Sequence, residues 1–235
     1  MTTTLITGAN KGLGYETARR LIAAGHTVYI GARDPQRGKQ AAADLGAHYL
    51  PLDVTVDESV DAAAGQFEAE AGRLDVLINN AGMSGPRKPI RELTADDFRQ
   101  VYDLNVFGPV RMLHRFLPLL ERSDHPVVVN VSSGLGSIAT AVDPDAQSAA
   151  APVWVPAPAY GSSKAALNML TVQYARQLPE LRINTVDPGF TATDLNGHRG
   201  VQSVEEGAEI IVRLATIGTD GPTGQYLSLT GTVPW

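Results

Sequence analysis

Tyr160 and Lys164 stand four positions apart in Tyr160-Gly161-Ser162-Ser163-Lys164, which puts a phenol and an ammonium on the same side of one helical turn. A free phenol, with a pKa near 10, is a poor base at neutral pH. A neighbouring cation stabilises the phenolate and brings its pKa toward the working range. A tyrosine so placed can give a proton to a carbonyl oxygen or take one from an alcohol. The same spacing also serves a plain surface pair on a helix, so its chemical meaning depends on its surroundings. The second chemical stretch is Thr7-Gly8-Ala9-Asn10-Lys11-Gly12-Leu13-Gly14, which follows an apolar strand and runs into a helix-forming segment. Gly8 allows a tight turn out of the strand, Gly12 lets the backbone approach a pyrophosphate with no Cβ between, and Gly14 lets the helix lie close to the sheet. The helix N-terminus then offers phosphates unpaired N–H groups and a partial positive charge. Glycine-rich turns of this kind also occur where nothing binds.

The elements that must position these groups alternate along the chain. Strands are expected around Leu5-Ile6, His26 to Ile30, Ala47 to Leu52, Leu74 to Ile78, Pro126 to Val131, Arg182 to Val186 and Gln225 to Leu229. Between them come helices at Gly12 to Ala24, at Asp34-Pro35 (N-cap and first-turn proline) to Leu45, and at Asp57 to Ala71 with an acidic first turn. Further helices are expected from about residue 95 to 120, from Tyr160 to Leu178 and from Val204 to Ala215, with Pro109 kinking or interrupting the first of these. Strands this apolar, alternating with helices, indicate a parallel sheet covered on both faces. The fold expected is therefore a single α/β domain of 235 residues, a Rossmann-type doubly wound sheet of about seven strands, with ligands outside the carboxyl ends of the strands. Residues 139–159, rich in alanine and proline, read as a loop insertion.

Composition narrows the partners. The chain is 43% apolar with a formal net charge of −6 and no basic stripe, which argues against nucleic acid or an anionic membrane surface and for a small molecule. It has no cysteine, and its five histidines are scattered without ligand spacing, so no metal site is expected. The N-terminus lacks the pattern of a secretory signal, and no apolar run nears the roughly 20 residues of a membrane helix. A soluble, cytoplasmic protein is expected. The sequon Asn130-Val131-Ser132 falls in an expected buried strand and is discounted.

Thr7 to Gly14, Asn79-Asn80-Ala81-Gly82, Asn105, Ser133, Tyr160, Lys164 and Pro188-Gly189 occur in one order in one chain. Together they resemble the short-chain dehydrogenase/reductase family from end to end. The resemblance implies that Ser133 hydrogen-bonds a substrate carbonyl, that Tyr160 is the acid or base, and that Lys164 holds the nicotinamide ribose while depressing the tyrosine pKa. It implies that Asn105 holds a water linking Lys164 to solvent. Ser132 is the rival to Ser133, because adjacent residues on an extended segment face opposite sides. On the cofactor side the resemblance implicates Gly8, Asn10, Lys11, Gly12, Leu13 and Gly14 in the cradle. It makes Asp53-Val54 the adenine-contacting pair and sets Ala81-Gly82 near the adenosine ribose, with Asn79 and Asn80 bracing the sheet. It brings Pro188, Gly189, Phe190, Thr191 and Thr193 to the nicotinamide amide and a phosphate. Twenty-seven positions separate Ser133 from Tyr160, a longer gap than is usual in the family. That insertion, Ala32-Arg33-Asp34 and the Gln225 to Trp235 ending look most like the carbonyl-reductase-like branch, which tends to be monomeric.

Coenzyme choice follows from the end of the second strand. NAD-dependent members of the family usually carry an acidic residue where this chain has Ala32. Arg33 follows it, and Lys11 precedes Gly12, so two cations can converge on a 2′-phosphate, although Asp34 could serve as a ribose ligand if it is not spent as a helix cap. The function expected is an NADPH-dependent carbonyl reductase that interconverts a ketone or aldehyde and an alcohol. A catalytically silent dinucleotide-binding sensor of the same fold is the alternative. A glycine-rich methyltransferase leaves Ser133, Tyr160 and Lys164 unexplained. Loops at Met83 to Arg91, 139–159 and Thr191 to Val201 should build the substrate pocket, where Val153, Trp154, Val155 and Phe190 suggest an apolar or aromatic ligand, with a packing role for Trp154 equally open.

Overall fold

In the β-strands, residues one apart face opposite sides of the sheet, and both sides are apolar. Leu5, Leu77 and Val128 point to one layer with Phe67, Met112 and Phe116, while Ile6, Ile78 and Val129 point to the other with Leu21, Ile210 and Leu214. Such strands are stable only between two layers of helix. The computed structural model of the chain, which describes residues 1–143 and 157–235, has that arrangement. Its strands are β1 (Thr3–Thr7), β2 (Thr27–Ala32), β3 (His48–Pro51), β4 (Val76–Asn79), β5 (Val127–Val131), β6 (Arg182–Val186), β7 (Tyr226–Ser228) and β8 (Gly231–Thr232). They form one sheet in the order β3-β2-β1-β4-β5-β6-β7-β8, parallel throughout except for the antiparallel β7–β8 pair. The expectation of about seven strands is met by the parallel set. The two-residue β8 adds an eighth, because the chain after Ser228 turns back on its neighbour.

The helices are α1 (Gly12–Ala23), α2 (Pro35–Leu45), α3 (Asp57–Ala71), α4 (Ala95–Tyr102), α5 (Gly108–Leu120), α6 (Ile138–Val142), α7 (Pro158–Gln177) and α8 (Val204–Ala215). Local chemistry sets their ends. Asp34 accepts from the Arg37 backbone N–H at 3.0 Å and Pro35 opens α2, so Asp34 is a helix cap as expected. Ser203 and Glu206 form a reciprocal capping box at the start of α8, with bonds of 3.1 and 2.8 Å. Within one layer, Phe67 of α3 meets Phe116 of α5 edge-on with ring centroids 5.8 Å apart.

The reading of residues 95–120 as one helix kinked at Pro109 needs correction. The break lies earlier, in a π turn at Asp103–Phe107, and Pro109 sits in the first turn of α5, where its missing N–H costs nothing. The insertion placed at 139–159 is also trimmed by structure. Ile138–Val142 is helical, α7 begins at Pro158, and residues 144–156, including Val153, Trp154 and Val155, lie outside the described residues.

From β1 the chain winds outward through β2 to β3, and α3 then returns it to β4 on the other side of β1. The loops leaving the carboxyl ends of β1 and β4 therefore diverge, which opens a crevice at the point where the strand order reverses.

Candidate active site

α7 carries a buried stripe of Tyr160, Ser163, Lys164, Leu167, Asn168 and Thr171, at the three- and four-residue spacing of one helix face. Most of the stripe is polar, so each group needs a partner. The Ser163 hydroxyl donates to the Tyr160 carbonyl at 2.7 Å and accepts from Asn105 Nδ2 at 3.0 Å. Thr171 donates to the Leu167 carbonyl at 2.9 Å and accepts from Asn130 Nδ2 at 2.9 Å. The Lys164 ammonium donates to the Val131 carbonyl at the end of β5, at 2.7 Å.

The turn after β5 packs onto this stripe. A Cβ at Gly161 would stand 2.9 Å from the Leu135 carbonyl oxygen, so a side chain there would push the Ser133–Gly136 turn off the helix. With that approach available, the Ser133 hydroxyl reaches the Tyr160 phenol and also accepts from the Leu135 N–H at 3.3 Å. Tyr226 of β7, fully buried, donates to the Ser133 carbonyl and fixes the turn from behind. Ser132 is buried as well, and among the described residues its hydroxyl makes no hydrogen bond of ordinary geometry. Ser133, not Ser132, is the serine in contact with the phenol.

Burial pushes the Tyr160 phenol up to about 12; the Ser133 hydroxyl pulls the other way and the Asp187 charge adds to the rise. Burial lowers Lys164 to about 8. This corrects one expectation. The ammonium, 5.6 Å from the tyrosine ring centroid, donates to the Val131 carbonyl, and burial outweighs its pull, so the phenol stays up. At neutral pH the arrangement therefore holds a protonated phenol beside a lysine still largely charged.

Asn105 is fully buried in the π turn. Its Nδ2 donates to the Met83 carbonyl at 2.9 Å as well as to Ser163, and its Oδ1 accepts from the Met83 N–H at 2.9 Å. It ties the loop after β4 to α7 and does not itself face the cleft.

The cleft itself measures about 1120 Å³ and runs from the β1–α1 turn to Tyr160. Of the other sequence-derived site residues, Gly8, Asn10, Lys11, Gly12, Leu13, Arg33, Asp53, Val54, Asn80, Ala81, Gly82, Pro188, Gly189, Phe190, Thr191 and Thr193 all line it. Gly14 does not. It lies beneath, where a Cβ would come within 2.8 Å of Ala9 Cα and 2.5 Å of Asn80 Nδ2, so its absence of side chain is what seats α1 on the sheet. Gly8 and Gly12 have φ of +65° and +56°, the left-handed conformation a cradle of bare backbone requires. Asn80 braces that cradle, donating from Nδ2 to the Thr7 and Gly8 carbonyls at 2.9 and 3.1 Å, while Asn79 donates to Asn130 Oδ1 at 2.8 Å.

Asp53 is held for an acceptor role. Burial acts to raise its pKa, but hydrogen bonds from the Thr55 hydroxyl and N–H, with the charges of Arg33 and Arg111, hold it below the usual carboxylate range. Thr191 and Thr193 are more committed than expected. The Thr191 hydroxyl donates to the Pro188 carbonyl at 3.2 Å and so is spent on its own loop, and the Thr193 N–H donates to Asn196 Oδ1 at 3.4 Å.

Four participants escaped sequence reasoning. Arg37 lines the cleft beside Arg33. Asp194 pairs with Lys11 at 2.6 Å. Tyr226 holds Ser133, and Asp187 lies in the cleft wall between the turns after β5 and β6. Of these, Asp187 alone left a signal, an acidic residue at the carboxyl end of an expected strand directly before Pro188-Gly189.

Comparison with known proteins agrees with this geometry. A family model described as short chain dehydrogenase matches residues 2–203. The chain is 41% identical over 229 residues to the short-chain dehydrogenase anuI of Penicillium roqueforti, covering 92% of this chain and 88% of that one. It is 32% identical over 280 residues to (+)-neomenthol dehydrogenase of Arabidopsis thaliana, covering 95% of both. The NADPH-bound carbonyl reductase from chicken fatty liver superposes with a TM-score of 0.86 at 28% identity, over 100% of this chain and 99% of that one. No helix among the described residues is long and apolar enough to cross a membrane. With the glycine cradle, the Ser133–Tyr160 contact and Lys164 held in one cleft, and relatives matched over nearly their whole length, the chain belongs to the short-chain dehydrogenase/reductase family of oxidoreductases.

Proposed function

We propose that this protein is an NADPH-dependent carbonyl reductase, with Tyr160 as the general acid. The observation that carries the reading is the buried Tyr160 phenol, held at about 12 with the Ser133 hydroxyl against it, at one end of a cleft whose other end is a bare-backbone cradle flanked by Lys11 and Arg33. The residues present fit a phosphorylated dinucleotide. Gly8 and Gly12 leave the cradle free of Cβ atoms, β2 ends in Ala32 rather than an acidic residue, and Arg33 and Arg37 offer guanidinium groups just beyond it, with Asp34 held as the α2 cap and 3.6 Å from Arg37. When bound, the coenzyme supplies a hydride, two electrons and a proton, to the carbonyl carbon.

The chain's own residues do the rest. Ser133 donates a hydrogen bond to the carbonyl oxygen as negative charge gathers there, a stabilisation that grows toward the transition state. Tyr160 gives that oxygen its proton. An alkoxide is a far stronger base than a phenolate, so a phenol at about 12 remains an effective donor to it. The Lys164 charge nearby steadies the tyrosinate formed, which is reprotonated from solvent. The net change is carbonyl plus hydride plus one proton to alcohol.

For the substrate, an apolar or aromatic ketone or aldehyde is the class inferred, and relatives named (+)-neomenthol dehydrogenase and salutaridine reductase support a small organic molecule in that place. The cleft wall near Tyr160 supports this with Leu93, Leu135, Phe190 and Leu195. The test is a reductase assay following loss of the reduced nicotinamide, with cyclic terpenoid ketones, aryl ketones, aliphatic ketones, quinones and sugars offered in parallel. Turnover of a ketone with NADPH is expected. Tight NADPH binding with no turnover of any carbonyl would replace the reading with that of a silent dinucleotide sensor.

A further inference from the structure

Asp187 is a buried carboxylate that the reaction described above does not use. It follows β6 directly, is 4% exposed, and lines the cleft together with Ser133, Tyr160, Pro188 and Gly189. Its Oδ1 accepts from the Gly189 N–H at 3.0 Å, and the Gly134 N–H also favours its ionised form. Among the described residues no cation pairs with it. Burial raises its pKa, and the two backbone donors only partly offset that. A carboxylate placed in a cleft wall without a counter-charge is costly. A cation that comes and goes would repay the cost.

On the reading of the chain as an NADP(H) enzyme, such a cation exists. The nicotinamide ring is neutral in NADPH and positive in NADP⁺, and it must lie beside Tyr160 and Ser133 if hydride is to reach a carbonyl they hold. Asp187 stands in the same wall, between the turn that carries Ser133 and the turn of Pro188-Gly189. We propose that the Asp187 carboxylate discriminates between the two oxidation states of the coenzyme, stabilising bound NADP⁺ over bound NADPH and so favouring hydride donation. The same charge adds to burial in keeping Tyr160 protonated, the state in which the phenol is an acid. A purely structural Asp187, stapling Gly134 to Gly189, would influence both coenzyme forms alike.

The test reads coenzyme binding and needs no substrate. NADPH and NADP⁺ are titrated separately into wild type, Asp187→Asn and Asp187→Ser, by quenching of protein fluorescence, with the thermal midpoint of each variant recorded. Asparagine keeps the shape and one acceptor oxygen; serine is smaller and also neutral, so either one that folds suffices. An opposite charge at close range shifts an equilibrium by about tenfold or more. Both variants should therefore lose about tenfold in NADP⁺ affinity relative to NADPH. Equal changes for the two forms would overturn the proposal and leave Asp187 a structural staple. Failure of the wild type to bind either form would instead overturn the NADP(H) reading itself.

Discussion

The Lys11 ammonium and the Asp194 carboxylate meet at 2.6 Å, joining the phosphate cradle after β1 to the turn after β6 across the cleft. Asp194 also takes His198 Nε2 at 2.7 Å, and the two contacts, Lys11 first, hold its carboxyl below the usual range. On the proposed NADP(H) reading Lys11 is one of three cations, with Arg33 and Arg37, that would meet a 2′-phosphate, so Asp194 competes for it. Removing the competitor with Asp194→Ala should raise the preference for NADPH over NADH severalfold, and Lys11→Ala should lower it about tenfold. Paired titrations with the two coenzymes give the ratio directly. If Lys11→Ala weakens both equally, Lys11 meets a group the two share and not the 2′-phosphate.

Arg33 makes a sharper case because it follows Ala32 at the end of β2 and faces the cleft. A hydrogen bond to a charged group contributes about 1.5–3 kcal/mol. Arg33→Ala should then weaken NADPH roughly ten- to a hundredfold and hardly change NADH. Adding Ala32→Asp should reverse the preference, by offering a carboxylate to the free ribose hydroxyls and repelling the phosphate. A double variant that still favours NADPH would show that Lys11 and Arg37 suffice without Arg33.

The acid and its serine can be separated from their neighbours. Tyr160→Phe should lower kcat by roughly a hundredfold or more with NADPH affinity nearly unchanged, since only the proton is lost. Ser133→Ala should cost about a hundred- to a thousandfold in kcat. Ser132→Ala removes a buried hydroxyl that approaches the Tyr226 phenol without a hydrogen bond of ordinary geometry, so turnover should stay close to wild type and the thermal midpoint should hold. A large kcat loss at Ser132 with little at Ser133 would exchange their roles.

Lys164 sets the pH response. Its folded pKa of about 8 lies below its ordinary value of 10.5. Between those values the folded chain binds fewer protons than the unfolded one, so stability rises with pH across the window, and below about 8 the buried ammonium costs its full penalty. Activity should move the opposite way. As the ammonium is lost above about pH 8, the reductase kcat/KM should fall, while Tyr160 stays protonated until about 12. Lys164→Arg, whose charge persists, should carry the decline to higher pH if the variant folds. A profile flat from pH 6 to about 10 in wild type would remove the lysine charge from the reaction.

Much of the fold is legible because its strands are short apolar runs bounded by turn residues. Val76–Asn79 and Val127–Val131 are such runs, and α3 and α8 begin where acidic first turns or capping residues announce them. The chemistry of Tyr160 and Lys164 is legible for the same local reason, their spacing on one turn. What sequence conceals is whatever depends on depth or distance. Burial, which no local spacing reveals, holds Tyr160 above its ordinary value, and Lys164 donates to the Val131 carbonyl 33 positions away. Asp194 finds Lys11 across 183 positions, and Tyr226 reaches the Ser133 carbonyl across 93. Pro109 drew attention because a proline is visible in a sequence, whereas the π turn just before it has no residue type of its own.

That π turn gives the molecule an unusual kind of editability. A π turn contains one residue more than the α-helix on either side requires, so beyond Phe107 every side chain is displaced around the axis by roughly 100°, one residue's rotation. Asn105 depends on this extra residue for its place against Met83 and Ser163. Deleting one residue from Asp103–Phe107 would carry Ala95 to Leu120 toward one continuous helix with Pro109 in its interior, where a missing N–H and a ring clash cost about 3 kcal/mol. It would also bring α4 and α5 into a common phase that their present packing does not accommodate. A change of one codon thus separates a plainer scaffold from one whose loop after β4 is anchored beside Tyr160.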